Sequence, residues 1–217
     1  MTQWVENPTG GRDRGPAAIA RAWIEVLRAP TRFFERGVAP GDQAPGLVFA
    51  MTVVLVEEAT RFALVPGAAP VIGGQPGLSA LLGLLLAVLF VAPAALHLTA
   101  ALQTLLLIAA VPDRGGISET VQVIGYATAP CVLAGVPSPT LRAACAIYGS
   151  VLFVIGLRTV HATSTLRAVL AGAIPAALVF GYAFRGIAAF EELLVVRGDE
   201  ICLRAVELGF ELCLPVA

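Results

Sequence analysis

Lysine is absent from this chain of 217 residues, and histidine and methionine occur only twice each. Without lysine there is no Walker-type phosphate loop. HExxH, GxSxG and GxGxxG are missing as well, which removes the common signatures of zinc peptidases, serine hydrolases and dinucleotide binders. The four cysteines, Cys131, Cys145, Cys202 and Cys213, form no CxxC pair and no cysteine–histidine cluster of zinc spacing, so no metal and no cofactor is expected. Charge is scarce: 13% of the residues are Asp, Glu, Lys or Arg, about half the roughly 25% of a soluble domain. A net charge of −1 offers no concentrated basic face and excludes nucleic acid as a partner. All 14 basic residues are arginine, which reads as coding bias toward GC-rich codons rather than as mechanism.

What the chain has in excess is apolar length. Leu78 to Val111 is a run of 34 residues without a single charge, well beyond the roughly 18 that read as membrane-spanning. As a straight helix it is about 51 Å long against a hydrocarbon layer of about 30 Å. It must therefore tilt, kink or protrude, and Pro93 is the expected kink. Splitting it at Pro93 into two spans would leave halves of marginal length, so one kinked helix is expected. Further spans are expected over about 46–65, 121–136, 141–157 and 166–184, each bounded by prolines, glycines or arginines. The expected fold is an all-α polytopic transmembrane bundle of about five spans in the lipid bilayer. Residues 1–43 form its N-terminal segment, 44–186 the transmembrane domain and 187–217 a tail.

The flanks read differently. Residues 1–15 are polar and aperiodic and are expected to be disordered, with no cleavable signal peptide. From Pro16 to Ala29 the pattern is helical, with Arg21, Glu25 and Arg28 on one face and Ile19, Trp23, Val26 and Leu27 on the other. That suits a helix in the headgroup plane or one packed on the protein's own surface. In the tail, Glu200, Arg204, Glu207 and Glu211 fall at helical spacing opposite Leu203, Val206, Phe210 and Leu214, so an amphipathic helix is expected there. Five spans with a cytoplasmic N-terminus put nine arginines inside (12, 14, 21, 28, 32, 36, 114, 158, 167) and four outside (142, 185, 197, 204). This arrangement satisfies the positive-inside rule and places the chain in the cell membrane.

Ionisable groups inside a span are functional candidates by default, and the first span carries Glu57, Glu58 and Arg61. Arg61 is within one helical turn of both carboxylates and can neutralise one; the other is expected to stay protonated or to meet His97 on the second span. The bland reading, a self-neutralising structural cluster, is the favoured one. His97 by itself reads as an interhelical hydrogen-bonding residue, and His161 as an interfacial residue at a span end.

Two resemblances bear on these residues. Glu57-Glu58-Ala59-Thr60-Arg61 resembles the paired-glutamate motif of the CAAX-protease membrane peptidases, with two residues before the arginine where that family has three. This would imply a peptidase using Glu57, Glu58 and His97, and a small-solute transporter is a further alternative. The second resemblance covers more of the chain. Pro30-Thr31-Arg32-Phe33-Phe34 ahead of the first span, Gly125-Tyr126 with Pro130 in the third, and Gly156-Leu157-Arg158 with His161 after the fourth together resemble the Yip1 family of five-span membrane proteins. That resemblance implies a scaffold or adaptor without catalytic residues, acting on other membrane proteins or on itself. Eukaryotic members are associated with Rab GTPases, but the acidic Tyr-Gly-Pro motif of their N-terminal side is not found in this sequence, which argues against a GTPase partner.

Overall fold

In a computed structural model of the chain, residues 5–6, 12–13, 15–112, 114–197, 200–205 and 208–215 are described. Among the described residues, three helices are long and apolar enough to cross a membrane: α4 (Pro76–Ala110), α6 (Pro139–Val160) and α7 (Thr165–Ala183). They correspond to the spans expected at 78–111, 141–157 and 166–184. Around them lie α1 (Pro16–Arg28), α2 (Pro30–Arg36), α3 (Ala44–Leu64), α5 (Ile117–Ala127) and α8 (Gly186–Leu193).

Proline shapes these helices in three ways. Pro16, Pro30, Pro45, Pro76 and Pro139 each sit at the first or second helical position, where the missing amide would have lacked a partner anyway. Pro93 follows a π-helical turn at Ala87–Val91 inside α4, and the helix stays continuous over its 35 residues. Pro175 likewise precedes a π turn at Ala177–Ala183 in α7. Pro130 acts more strongly. The span expected over 121–136 is not one helix, because α5 stops at Ala127 and the chain winds on as a 3-10 turn over Ala129–Leu133. Thr128 Oγ1 donates to the Gly125 carbonyl at that break. Every residue from Thr120 to Cys131 is buried, so this segment crosses the bundle shielded by protein on all sides.

Contacts sort the element ends onto two ends of the bundle. Ala39, Gly41, Ser118 and Gln122 meet at one: the Ala39 amide donates to Gln122 Oε1 (2.8 Å) and the Gly41 amide to Ser118 Oγ (3.1 Å). Gly115 and His161 join the close of α4 to the close of α6 at that same end. Arg142 and Glu192, at the start of α6 and in α8, meet at the other (3.3 Å). α1 lays Ala18, Ala22 and Val26 into the core, and Trp23 Nε1 donates to the Ala129 carbonyl (2.8 Å). It is therefore docked on the protein itself, since small residues one turn apart let it approach closely.

Two expectations about the ends need correction. Val5–Glu6 (β1) and Arg12–Asp13 (β2) pair as a short antiparallel ladder within the stretch expected to be disordered; its remaining residues up to 14 lie outside the described set. The tail is not a helix. After α8, strands β3 (Leu194–Arg197), β4 (Glu200–Ala205) and β5 (Phe210–Pro215) form an antiparallel sheet in that order, and Cys202 is disulfide-bonded to Cys213 opposite it. Of the charges that fall at helical spacing, Arg204 faces Glu211 across the sheet, with 3.4 Å between their charged groups, while Val206 and Glu207 lie outside the described residues.

Candidate functional site

The residues singled out in the sequence gather into three places. The largest is a junction between α2, α3, α5 and α6. Phe33 and Phe34 on α2, Phe49 on α3 and Tyr126 on α5 are all buried. Their rings meet edge-on, with centroids 4.8 Å apart for Phe33–Tyr126, 5.1 Å for Phe49–Tyr126 and 5.6 Å for Phe33–Phe34. Such contacts add about 1 kcal/mol each to the burial itself. Glycine makes the junction possible. A Cβ on Gly125 would overlap the backbone carbonyl of Gly46, so α3 and α5 touch backbone to backbone there. A Cβ on Gly156 would stand 2.7 Å from Val123 Cγ1 and 3.0 Å from the Phe34 ring, which fills the space the glycine leaves. Pro130 is buried in the turn beside the Ala129 carbonyl that accepts from Trp23. Arg158 takes no part and is exposed.

The second place is the charge cluster. Glu57 is buried and Glu58 half-buried. Arg61 reaches Glu58 with both Nε (2.9 Å) and Nη2 (2.7 Å), as the three-residue spacing allows. The remaining carboxylate is met from the end of another span: Arg185, just past α7, ion-pairs with Glu57 and reaches Glu58 at 3.5 Å. Two glutamates and two arginines thus cancel. Arg185 holds a left-handed backbone conformation (φ 57°) between α7 and α8, and Gly135 lies so close that a Cβ on it would overlap the Glu57 carbonyl. Arg185 lies 128 residues from Glu57 in sequence, so no local spacing could have revealed the pair. Its one signal is an arginine directly after a long apolar span.

His97 does not join this cluster through any hydrogen bond or ion pair among the described residues. Its Nδ1 donates to the Pro93 carbonyl one turn back (2.7 Å), so the bond is within the helix rather than between helices.

The third place is His161, which is completely buried rather than interfacial. The Gly115 amide donates to its Nδ1 (3.1 Å), which leaves the neutral ring's proton on Nε2, 3.4 Å from Thr120 Oγ1. Burial lowers its pKa to about 4; Glu119 opposes that shift and Arg114 adds to it. In the tail, Cys202, Glu211 and Cys213 lie close enough to hold a metal ion. Both thiols are spent in the disulfide, which leaves one carboxylate and does not fit a metal.

A family model, the Yip1 domain, matches residues 24–185, a range that contains all three places and leaves out the tail. No curated protein and no solved structure matches the chain.

Proposed function

This chain belongs to the Yip1 domain family, and from that membership we propose that it is a non-catalytic scaffold or adaptor of the cell membrane, crossing it five times with its N-terminus in the cytoplasm. It is a membrane protein by family and by its three long apolar helices. The observation that carries the reading is the junction: Phe33, Phe34, Gly125, Tyr126 and Gly156 spend their side chains, or their lack of one, on helix packing. A peptidase would need Glu57, Glu58 and His97 around one water. Both carboxylates are instead held by arginines and His97 is tied to its own helix, which favours the scaffold.

The orientation has two supports. Arginine is concentrated on the loops placed in the cytoplasm. The disulfide Cys202–Cys213 lies in the tail placed outside, where the oxidising surroundings that maintain such bonds are found.

Proximity labelling in the native membrane tests the function. It should return the same membrane-protein neighbours for the wild type and for a charge-neutral variant carrying Glu57→Gln, Glu58→Gln, Arg61→Leu and Arg185→Leu. A variant that folds but loses a proteolytic or transport activity would overturn the scaffold reading.

A further inference from the structure

Helices α6, α7 and α8 leave a groove of about 610 Å³ between them. Small residues help to make it: Ala146 on α6, Ala176 and Ala177 on α7 and Gly186 at the start of α8 line it together with Phe180. A Cβ on Gly186 would overlap the Phe180 carbonyl and stand 2.6 Å from Ala146 Cβ. Among the lining residues Ser150 and Thr165 alone carry a polar side chain, and the Ser150 hydroxyl is spent on the Ala146 carbonyl of its own helix (2.8 Å). Water finds few partners against such walls, which suit a hydrocarbon. The lining covers about 14 Å of α6 (146–155) and about 24 Å of α7 (165–181). One leaflet contributes about 15 Å to a hydrocarbon layer about 30 Å thick, so the groove has the reach of a single acyl chain.

A charge stands in line with one end of it. Ile147, Val151 and Val154 share one stripe of α6, and the next position in steps of four, three and four is Arg158, about 6 Å beyond Val154 along the axis and two residues before the helix ends. Arg61, Arg142 and Arg185 are held by glutamates. Arg158 is exposed and has no hydrogen bond or ion pair to its side chain among the described residues. Its planar fork matches a phosphate, which it can bond through two parallel hydrogen bonds. An apolar helix in the groove would leave that charge unanswered, and a free phosphate would leave the groove unfilled. A headgroup of net negative charge is favoured over a zwitterionic one, whose own cation offsets the attraction.

We propose that this groove holds an acyl chain of an anionic phospholipid of the cytoplasmic leaflet, with the lipid's phosphate on Arg158. The choice of leaflet rests on the orientation proposed above. Binding in detergent has no sidedness, so it can fail or succeed independently of that orientation.

Native mass spectrometry of the full chain in detergent, titrated with dioleoyl phosphatidylglycerol or dioleoyl phosphatidylcholine, reads the headgroup preference. The first phosphatidylglycerol should bind at least tenfold more tightly. Arg158→Gln should remove that preference. Arg167→Gln should keep it, because Arg167 is exposed at the same end but lies on the side of α7 opposite Thr165 and Val169. Equal binding of the two lipids, or equal loss in both arginine variants, would reduce the effect to general surface charge and overturn the proposal. In liposomes, phosphatidylglycerol with a photoactivatable acyl chain locates the chain. Adducts at Val151, Val154 and Val169 are expected, and Ala177→Phe, which fills an exposed part of the groove, should lower them at least tenfold. Adducts spread evenly over these positions and the exposed Leu82, Leu98 and Leu105 of α4 would make the lipid ordinary solvent and also overturn the proposal.

Discussion

Removing Arg185 should damage the protein more than removing Arg61, although Arg61 is the arginine that shares a helix with both glutamates. Glu57 has 3% of its side chain exposed and its ion pair is with Arg185, whereas Glu58 is 16% exposed and is held by both arginines. Arg185→Leu therefore leaves an uncompensated buried carboxylate, a change that costs about 3–5 kcal/mol. Arg61→Leu leaves Glu58 with Arg185 and removes a part-exposed pair, for about 1 kcal/mol. At about 2–4 °C per kcal/mol for a chain of this size, the two variants should unfold on the order of 10 °C and 3 °C below the wild type in matched detergent or nanodiscs. Adding Glu57→Gln to Arg185→Leu should recover most of the larger loss, because a neutral amide replaces the orphaned charge. Equal losses for the two arginine variants, or no recovery with Glu57→Gln, would refute the pairing.

The glycine junction makes an ordered prediction. Gly125→Ala meets the backbone of α3, which cannot move aside, whereas Gly156→Ala meets Val123 and Phe34 side chains, which can shift by a few tenths of an ångström. The first should cost more than about 3 kcal/mol and the second about 1–2 kcal/mol in unfolding; the reverse order would remove the close crossing from the account. His161 predicts a pH dependence. Its pKa is about 4 when folded and 6.5 when free, so the unfolded chain binds the extra proton between those values. Stability should be flat above pH 6.5 and fall by about 3 kcal/mol from there to pH 4, at about 1.4 kcal/mol per unit. His161→Gln should lose that slope; an unchanged slope would put its origin elsewhere. Alkylating the denatured protein without reductant should modify two cysteines of the four, Cys131 and Cys145, and four modified thiols would contradict the disulfide in the tail.

Helix legibility followed apolar length. Runs such as Leu78 to Val111 carry no charge to interrupt them, and their ends in the structure lie within three residues of the expected ones. The segment around Pro130 was legible as a buried apolar stretch but not as a helix followed by a 3-10 turn. The turn depends on where Thr128 and Pro130 redirect the backbone once protein surrounds them. The tail was misread because a cross-strand pair such as Arg204–Glu211 and a helical stripe can share the same residues; only the opposition of Cys202 and Cys213 separates them. In the charge cluster, Glu57, Glu58 and Arg61 were legible through their spacing. Arg185 was not, because its contribution depends on the chain returning from α7 to the end of α3. Gly125 and Gly156 stood out through the family resemblance alone, and their partners, Gly46 and Phe34, belong to helices far away in sequence.

Membrane orientation is tested most directly by placing single cysteines at four exposed positions, Glu35 and Thr165 at one end of the bundle and Gln75 and Glu191 at the other. A membrane-impermeant maleimide applied to intact cells should label positions 75 and 191, and should reach 35 and 165 only after permeabilisation. Labelling of position 165 from outside, with 75 also labelled, would put an even number of crossings between them and contradict the single kinked helix Pro76–Ala110 and the five-span scaffold built on it.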